Sequence, residues 1–478
     1  MATVDEVAAS GPPVRPAAAA AGSRAMAGGS VWSPARRALT VGMVLTVTLV
    51  AFEALAVSTI MPVVARQLGD VALYGWAFSA FFLGTLVGIV VAGQQIDRGG
   101  LVRPFAVGLA LFGVGLTIAG LAPSMPVLIG ARLVQGLGGG AIPTVTYVAI
   151  GRAYPDEARP RMFAILSTAW VVPALAGPAA AAFVAQFLDW RYVFFGLLPF
   201  LVLAAALTVP ALRRVAVSPA DPDAVSARGR LAPAIVTALA AGVLLAGLTT
   251  VTWWGLLVAL IALGVGLAAL VRLVPRGTLR AGRGLPATIA LRGIMTFGFF
   301  GAEAFLPLAI VLIRGQTPFF AGLALTSATI TWTIGSWIQS HVVHRWGARA
   351  LMALGLACVA AGIAITSAVL LDTTPIWVAI VGWSLAGLGM GLCYPVVTLT
   401  VLREAEPGQE GAATASLQLL DVLGNALGSG IGGALVAAGL ALAWDPHAAL
   451  AIAFAGAVTA VLVGLLVSRR TVAPTMAA

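Results

Sequence analysis

Three acidic residues, Glu53, Glu303 and Asp421, lie inside long apolar segments of this chain. An Asp-like charge at the centre of a membrane-spanning helix costs ~2.5–3.5 kcal/mol on insertion scales. A protein keeps such a residue when it pairs with a cation, when it bonds to a neighbouring helix, or when it binds and releases a proton. We predict that all three bind protons. For Glu53 and Asp421 the alternative is a structural hydrogen bond between helices.

Arg132 is an embedded basic residue that is placed to meet Glu53. It lies about two turns below one face of the membrane, Glu53 lies about three turns below the same face on a neighbouring span, and an arginine side chain reaches ~6 Å. A cation beside a carboxylate favours the charged form of the acid, and separation of the two removes that preference. The pair therefore predicts a proton switch. The alternative is an arginine that extends to the outer lipid head groups.

Polar and aromatic side chains indicate a cavity between helices. Gln418 and Asn425 lie three residues before and four residues after Asp421, so the three share one helix face. Aromatic rings in other apolar segments could add surface to the cavity, although packing or lipid contact explains each of them equally well. The residues predicted to line a substrate cavity are Trp170, Phe299, Trp332, Gln418 and Asn425.

The composition sets the class of protein that must position these residues. Of 478 residues, 60% are hydrophobic and 9% are charged, whereas a soluble domain carries ~25% charged residues. The net charge of +10 comes from arginines spread over many short loops, which fits membrane topology better than nucleic-acid binding. The sequence has no nucleotide-binding motif, and its Cys and His residues have no metal-ligand spacing. We therefore expect a polytopic membrane protein that is not an enzyme, with no cofactor, no metal and no nucleic-acid partner.

The apolar segments predict fourteen membrane-spanning helices. The two groups of six helices look like a duplicated unit, which is typical of transporters. The predicted spans are 39–63, 71–94, 103–121, 125–150, 162–187, 191–211, 231–247, 251–271, 286–313, 317–342, 350–371, 375–402, 411–441 and 447–468. The predicted domains are a disordered cytoplasmic tail (1–37), a first six-helix bundle (38–212), a linker with two extra helices (213–283), a second six-helix bundle (284–469) and a cytoplasmic tail (470–478).

The arginines also predict the orientation. Arg66, Arg191 and Arg314 fall on one side, Arg132 and Arg292 fall within spans, and all the others fall in tails and loops on the opposite side. Cytoplasmic loops carry an excess of basic residues, so we expect both termini in the cytoplasm of a multi-pass protein of the inner (plasma) membrane. Because neither extra helix carries a charge, we expect this pair outside the twelve-helix core, against lipid or in the groove between the halves.

The loop after the second span has the pattern G-x-x-x-D-R-x-G, formed by Gly93, Asp97, Arg98 and Gly100. Asp97 lies near a helix end, where it can accept hydrogen bonds or pair with an arginine. The two glycines allow a close approach and a tight turn. The pattern resembles motif A of the major facilitator superfamily, and the resemblance implies a cytoplasmic gate. The basic pair usual after this motif is missing, and Arg103 is the expected substitute.

Two further segments carry the resemblance. Arg132, Gln135 and Gly136 form R-x-x-Q-G, which resembles motif B of proton-driven facilitators. Gly177 and Pro178 match part of motif C, the antiporter signature, whereas the flanking glycines of that motif are absent. The whole chain resembles the fourteen-helix drug:proton antiporters of this superfamily.

The resemblance implies a proton-coupled exporter of amphiphilic or hydrophobic compounds that works by alternating access. Its expected partners are the small-molecule substrate, protons and membrane lipid, and we expect a monomer. The alternatives are export of a lipid or secreted metabolite, proton-coupled uptake of a nutrient and, least favoured, a membrane sensor that transports nothing.

Overall fold

The computed structural model describes residues 31–34, 36–155, 158–215, 229–406 and 410–471, and in this part of the chain it contains helices and no strand. Nearly all of the two predicted tails lies outside the described residues. Twelve described segments are long and apolar enough to cross a membrane. With the shorter α6 and the more polar α12, they match the fourteen predicted spans. The helices are α1 (Arg37–Leu68), α2 (Tyr74–Gly99), α3 (Val102–Leu121), α4 (Met125–Ala153), α5 (Arg159–Thr168), α6 (Val171–Phe187), α7 (Arg191–Phe195), α8 (Leu198–Leu212), α9 (Leu231–Thr249), α10 (Trp253–Leu270), α11 (Leu285–Leu308), α12 (Pro318–Trp346), α13 (Ala348–Ser367), α14 (Trp377–Glu404), α15 (Glu410–Ala441) and α16 (Pro446–Ser468).

Two predicted spans are interrupted, and proline explains both breaks. The span expected at 162–187 consists of α5 and α6, separated at residues 169–170. Pro173 has no N–H for the carbonyl of Ala169, and its ring crowds that carbonyl. The hydroxyl of Thr48 on α1 donates to the freed Ala169 carbonyl at 3.2 Å. The span expected at 191–211 is broken between α7 and α8 in the same way, since Pro199 lies four residues after Phe195.

Close helix pairs build each half of the molecule. In the first half α4 packs against α2 and α3, and in the second half α14 packs against α12 and α13. A Cβ added to Gly136 of α4 would lie 2.0 Å from the carbonyl oxygen of Phe81 on α2, and one on Gly140 would lie 2.2 Å from that of Thr85. Small residues four apart let two membrane helices approach this closely.

The second half repeats this packing with its own glycines. A Cβ on Gly387 of α14 would lie 2.1 Å from the carbonyl oxygen of Ala328 on α12, and one on Gly391 would lie 2.1 Å from that of Trp332. The corresponding helix pair in each half therefore uses two glycines four residues apart. This agreement supports the duplicated unit expected from the sequence.

The extra pair, α9 and α10, lies beside the two halves. The two helices pack on each other, and α9 also packs on α2 of the first half and α15 of the second. Leu245 of α9 fits over Gly430 of α15, where a Cβ would lie 2.4 Å from the leucine side chain. Trp253, at the start of α10, is 79% exposed. The pair thus covers the groove between the halves, one of the two positions expected from its lack of charge.

Candidate functional site

Glu53 and Arg132 form a buried ion pair between α1 and α4. Glu53 is fully buried and Arg132 is 3% exposed. One carboxylate oxygen, Oε1, accepts from Nη1 of Arg132, and Nε2 of Gln135 lies 3.4 Å from the same oxygen. Gln135 also accepts from Arg132 Nη1 at 3.0 Å. The structure thus brings together the acid, the base and the glutamine that the sequence placed in neighbouring spans.

The other carboxylate oxygen of Glu53 is left open. Oε2 is buried and has no hydrogen-bond partner in the described part of the chain. A buried carboxylate oxygen without a donor is costly, and a bound proton would remove its charge. The ion pair therefore holds one carboxylate oxygen in hydrogen bonds and leaves the other without a donor among the described residues.

The close packing of α2 on α4 places Arg132. Its Nε donates to the carbonyl oxygen of Ala77 on α2 at 3.0 Å, and its guanidinium carbon lies 4.4 Å from the centre of the Phe81 ring. Gly136 brings the α2 backbone close enough for these contacts. The motif B residues therefore act together: Gly136 sets the distance, and Arg132 and Gln135 bind the acid.

A second ionic cluster lies in the other half and involves Asp421. Arg292 of α11, which is 3% exposed, places Nε 3.7 Å from Asp421 Oδ1 on α15. The hydroxyl of Tyr394 on α14 donates to the same carboxylate at 3.2–3.3 Å. The guanidinium lies over the Tyr394 ring, 3.4 Å from its centre, and its Nη2 donates to Thr398.

Glu303 differs from the other two acids. It is half-buried on α11 and makes no ion pair or hydrogen bond with the residues that the structure describes. The ion pair in the second half is formed by Asp421 and not by Glu303. A proton-binding role for Glu303 and Asp421 stays a prediction.

The residues predicted to line a substrate cavity have different surroundings. Trp170 is 46% exposed and lines an apolar cavity of about 160 Å³ between α1, α4 and α5. Phe299 is fully buried and stacks on Trp383 at 4.9 Å between ring centres, so it contributes packing rather than cavity surface. Trp332 is half-buried, with its ring 5.2 Å from that of Tyr394.

The polar stripe on α15 is only partly open. Gln418 and Asp421 are half-buried, whereas Asn425 is buried and its Nδ2 donates to the backbone carbonyl of Asp421 at 2.9 Å. Asn425 therefore stabilises its own helix. It presents little surface to a substrate.

The motif A segment is described in part. Gly100 follows α2 with φ +83°, the left-handed conformation expected of a tight turn. The close approach expected at Gly93 is not found among the described residues, since a Cβ there would have no neighbour within 4 Å. Arg103 is exposed, and the side chains of Asp97 and Arg98 lie outside the described residues. The gate role of this segment stays a prediction.

The motif C residues Gly177 and Pro178 lie in α6, which packs on α1 and α12. A Cβ on Gly177 would make ordinary contact with Phe52, at 3.5 Å. The tight contact is between Pro178 and α12, where a Cβ on Gly322 would lie 3.2 Å from the Pro178 backbone. Pro178 thus belongs to a contact surface between the two halves.

The halves also meet at their predicted outer ends. Arg66 of α1 donates to the carbonyl of Val311, in a π-helical turn (Ala309–Ile313) after α11. The Tyr74 hydroxyl of α2 donates to the carbonyl of Ala304 on α11 at 2.9 Å. Near this point a Cβ on Gly75 would lie 2.6 Å from the Cα of Gly433 on α15. These contacts close that side of the molecule.

Sequence reasoning missed Arg292 and Tyr394 as site residues. The signal for Arg292 was available, because it is one of two arginines that fall within predicted spans. Tyr394 gave no such signal, since a tyrosine in an apolar helix is compatible with packing, lipid contact or hydrogen bonding.

Comparison with known proteins agrees with this geometry. A family model of the Major Facilitator Superfamily matches residues 43–302. A probable multidrug-efflux transporter of Mycobacterium tuberculosis is 26% identical over 411 residues, which cover 79% of this chain and 83% of the relative. The multidrug transporter protein MdtP of Bacillus subtilis is 25% identical over 412 residues, which cover 84% of this chain and 75% of the relative.

Solved structures share the fold at low sequence identity. A crystal structure of the POT family transporter PepTSo has a TM-score of 0.68 at 14% identity and covers 90% of this chain and 97% of that one. The xylose transporter XylE of E. coli, in a partially occluded inward-open conformation, has a TM-score of 0.59 at 16% identity and covers 89% of this chain and 96% of that one. The family match spans more than half of the sequence, and the fold agrees with it. The chain belongs to the major facilitator superfamily.

Proposed function

We propose that this protein exports amphiphilic or hydrophobic compounds, including drugs, in exchange for protons across the bacterial inner membrane. The observation that carries the proposal is the buried Glu53–Arg132 pair with its open carboxylate oxygen. Relatives named multidrug transporters support the choice of substrates. The expected partners are a small amphiphilic molecule, protons and surrounding lipid, and the expected assembly is a monomer.

The coupling follows from competition for one carboxylate. With the outer side closed, Glu53 is charged and bound to Arg132. A proton that arrives on Oε2 cancels the charge and weakens the attraction between α1 and α4. For this change to shift the balance between the outward- and inward-facing states, the two states must hold the pair differently.

The predicted domains assign parts to this cycle. The first bundle carries the proton pair, the second bundle carries the Arg292 cluster, and the outer contacts must break for the outward-facing state. The motif A segment is the proposed gate on the opposite side. Glu303 and Asp421 remain candidates for further coupled protons.

The test is accumulation of compounds by inverted membrane vesicles under an imposed proton gradient. A panel of amphiphilic compounds of different charge should include several that accumulate when the gradient is applied, and collapse of the gradient should release them. Vesicles without the protein are the control. Equal accumulation with and without a gradient would contradict proton coupling, and no accumulation of any compound would contradict export.

A further inference from the structure

Arg292 has donor atoms for which the described residues supply no acceptor. Nε and Nη1 are buried and have no hydrogen-bond partner in the described part of the chain, and Nη2 donates to Thr398. The nearest carboxylate oxygen, Asp421 Oδ1, lies 3.7 Å from Nε, beyond hydrogen-bond distance. A buried guanidinium with unused donors is costly, so an oxyanion that reached Nη1 would bind strongly.

The partner of Arg292 is open to ligand. Asp421 is 23% exposed, and its only described side-chain donor is the hydroxyl of Tyr394. Part of the Asp421 carboxylate is therefore accessible to a ligand.

Each half supplies apolar or aromatic surface. Tyr147 lines the cavity of about 160 Å³ in the first half, which it shares with Trp170 and aliphatic side chains. In the second half the half-buried Trp332 ring packs against Tyr394. A ligand held by the ion pair could thus place an aromatic or aliphatic body against the Tyr394 and Trp332 rings.

Charge balance selects the class of head group. Arg292 and Asp421 together are neutral, so a cation alone or an anion alone would leave an unbalanced charge in a buried site. A ligand with one positive and one negative group would keep the site neutral and form two ion pairs. We propose that Arg292 and Asp421 bind the head group of a zwitterionic amphiphile, with its carboxylate on Arg292 and its ammonium on Asp421.

The distance between the Arg292 and Asp421 charges restricts the class of ligand further. Nε of Arg292 and Oδ1 of Asp421 are 3.7 Å apart, so the two charges of the ligand must also be neighbours. An amino acid with a large apolar side chain has this arrangement. The proposal names the substrate class of the exporter described above and rests on that function. It gives Asp421 a role in substrate binding in place of proton coupling.

Three compounds on one scaffold test the proposal. 2-Naphthylalanine is a zwitterion, its primary amide is a cation, and its N-acetyl derivative is an anion. Binding to the purified full-length protein is measured by calorimetry, which needs no proton gradient. We expect the zwitterion to bind about tenfold more tightly than either analogue, because each analogue lacks one charge-assisted pair.

Variants test the residues. Arg292→Gln should reduce the affinity for naphthylalanine about tenfold and change the affinity for the amide little. Since a lone buried acid can impair folding, the neutral double variant Arg292→Gln/Asp421→Asn is the second test, and it should bind all three compounds with similar affinity. Arg403→Gln, an exposed arginine at the end of α14, is the matched control and should keep the preference.

The outcomes separate this proposal from the function on which it rests. Tighter binding of the amide or of the N-acetyl compound than of the zwitterion would overturn it, as would a double variant that keeps the wild-type preference. Glu53→Gln should retain the zwitterion preference in binding while losing proton-driven transport. A Glu53→Gln variant that kept both the zwitterion preference and proton-driven transport would therefore count against the coupling mechanism and leave the head-group site standing.

Discussion

Replacement of Glu53 by glutamine removes the one group that can bind a proton in the first-half ion pair and keeps its shape. Arg132 retains acceptors in this variant, because Gln135 Oε1 and the Ala77 carbonyl each lie 3.0 Å from its nitrogens. We therefore expect Glu53→Gln to fold and to bind substrate. The variant should lose the coupling of substrate transport to proton movement.

The size of the loss follows from the number of charges moved. Glu53 has one open oxygen and binds one proton, so with Glu53 as the coupled group the export of a neutral compound moves one charge per cycle. A charge that crosses ~100 mV releases ~2.3 kcal/mol, and ~1.4 kcal/mol corresponds to a tenfold ratio. The wild-type protein should then sustain a concentration ratio of roughly 50 at ~100 mV. In the Glu53→Gln variant the substrate concentration ratio should be close to one.

Inverted membrane vesicles that contain the protein and are held at a known membrane potential give this concentration ratio directly. The matched control is Asp372→Asn, which removes an exposed carboxylate in a loop and leaves its backbone carbonyl free to accept from Arg314. If Glu53→Gln accumulated substrate to the wild-type ratio, Glu53 would have no part in coupling.

Two further predictions concern packing and gating. Gly136→Val should prevent folding, because the valine side chain would overlap the Phe81 carbonyl of α2, and overpacking of a rigid contact costs ~1–3 kcal/mol or more. The control, Gly130→Val on the exposed face of the same helix, should give a normal yield of folded protein on gel filtration. An equal loss of yield in both variants would refute the packing argument. Tyr74→Phe removes the hydrogen bond to the Ala304 carbonyl, worth ~0.5–1.5 kcal/mol, and should raise the outward-facing population roughly two- to tenfold. Distances between spin labels at the outer ends of α1 and α11 measure this shift. The control variant Tyr192→Phe, at an exposed tyrosine, should leave these distances unchanged. Unchanged distances in Tyr74→Phe would show that the hydrogen bond does not hold the outer side closed.

Much of the architecture could be predicted because the membrane restricts the choices. A segment in lipid must satisfy its backbone hydrogen bonds internally, so long apolar segments become helices. Most predicted spans agree with the observed helices to within a few residues. The interruptions before Pro173 and Pro199 were missed, although each proline predicts them through the carbonyl four residues earlier. The partner that satisfies the Ala169 carbonyl, Thr48, is distant in sequence and is found only in the structure.

For the site residues as well, one part could be predicted from the sequence and another part is decided by the tertiary structure. The presence of Glu53, Arg132 and Asp421 inside apolar spans is a property of the sequence, because an embedded charge is costly wherever the helix packs. Their pairing depends on which helix faces touch. The sequence placed Glu53 with Arg132, since a known motif and similar depths in the membrane agreed. It could not assign Asp421 to Arg292, because pairing between α11 and α15 depends on the rotation of both helices, which tertiary packing sets.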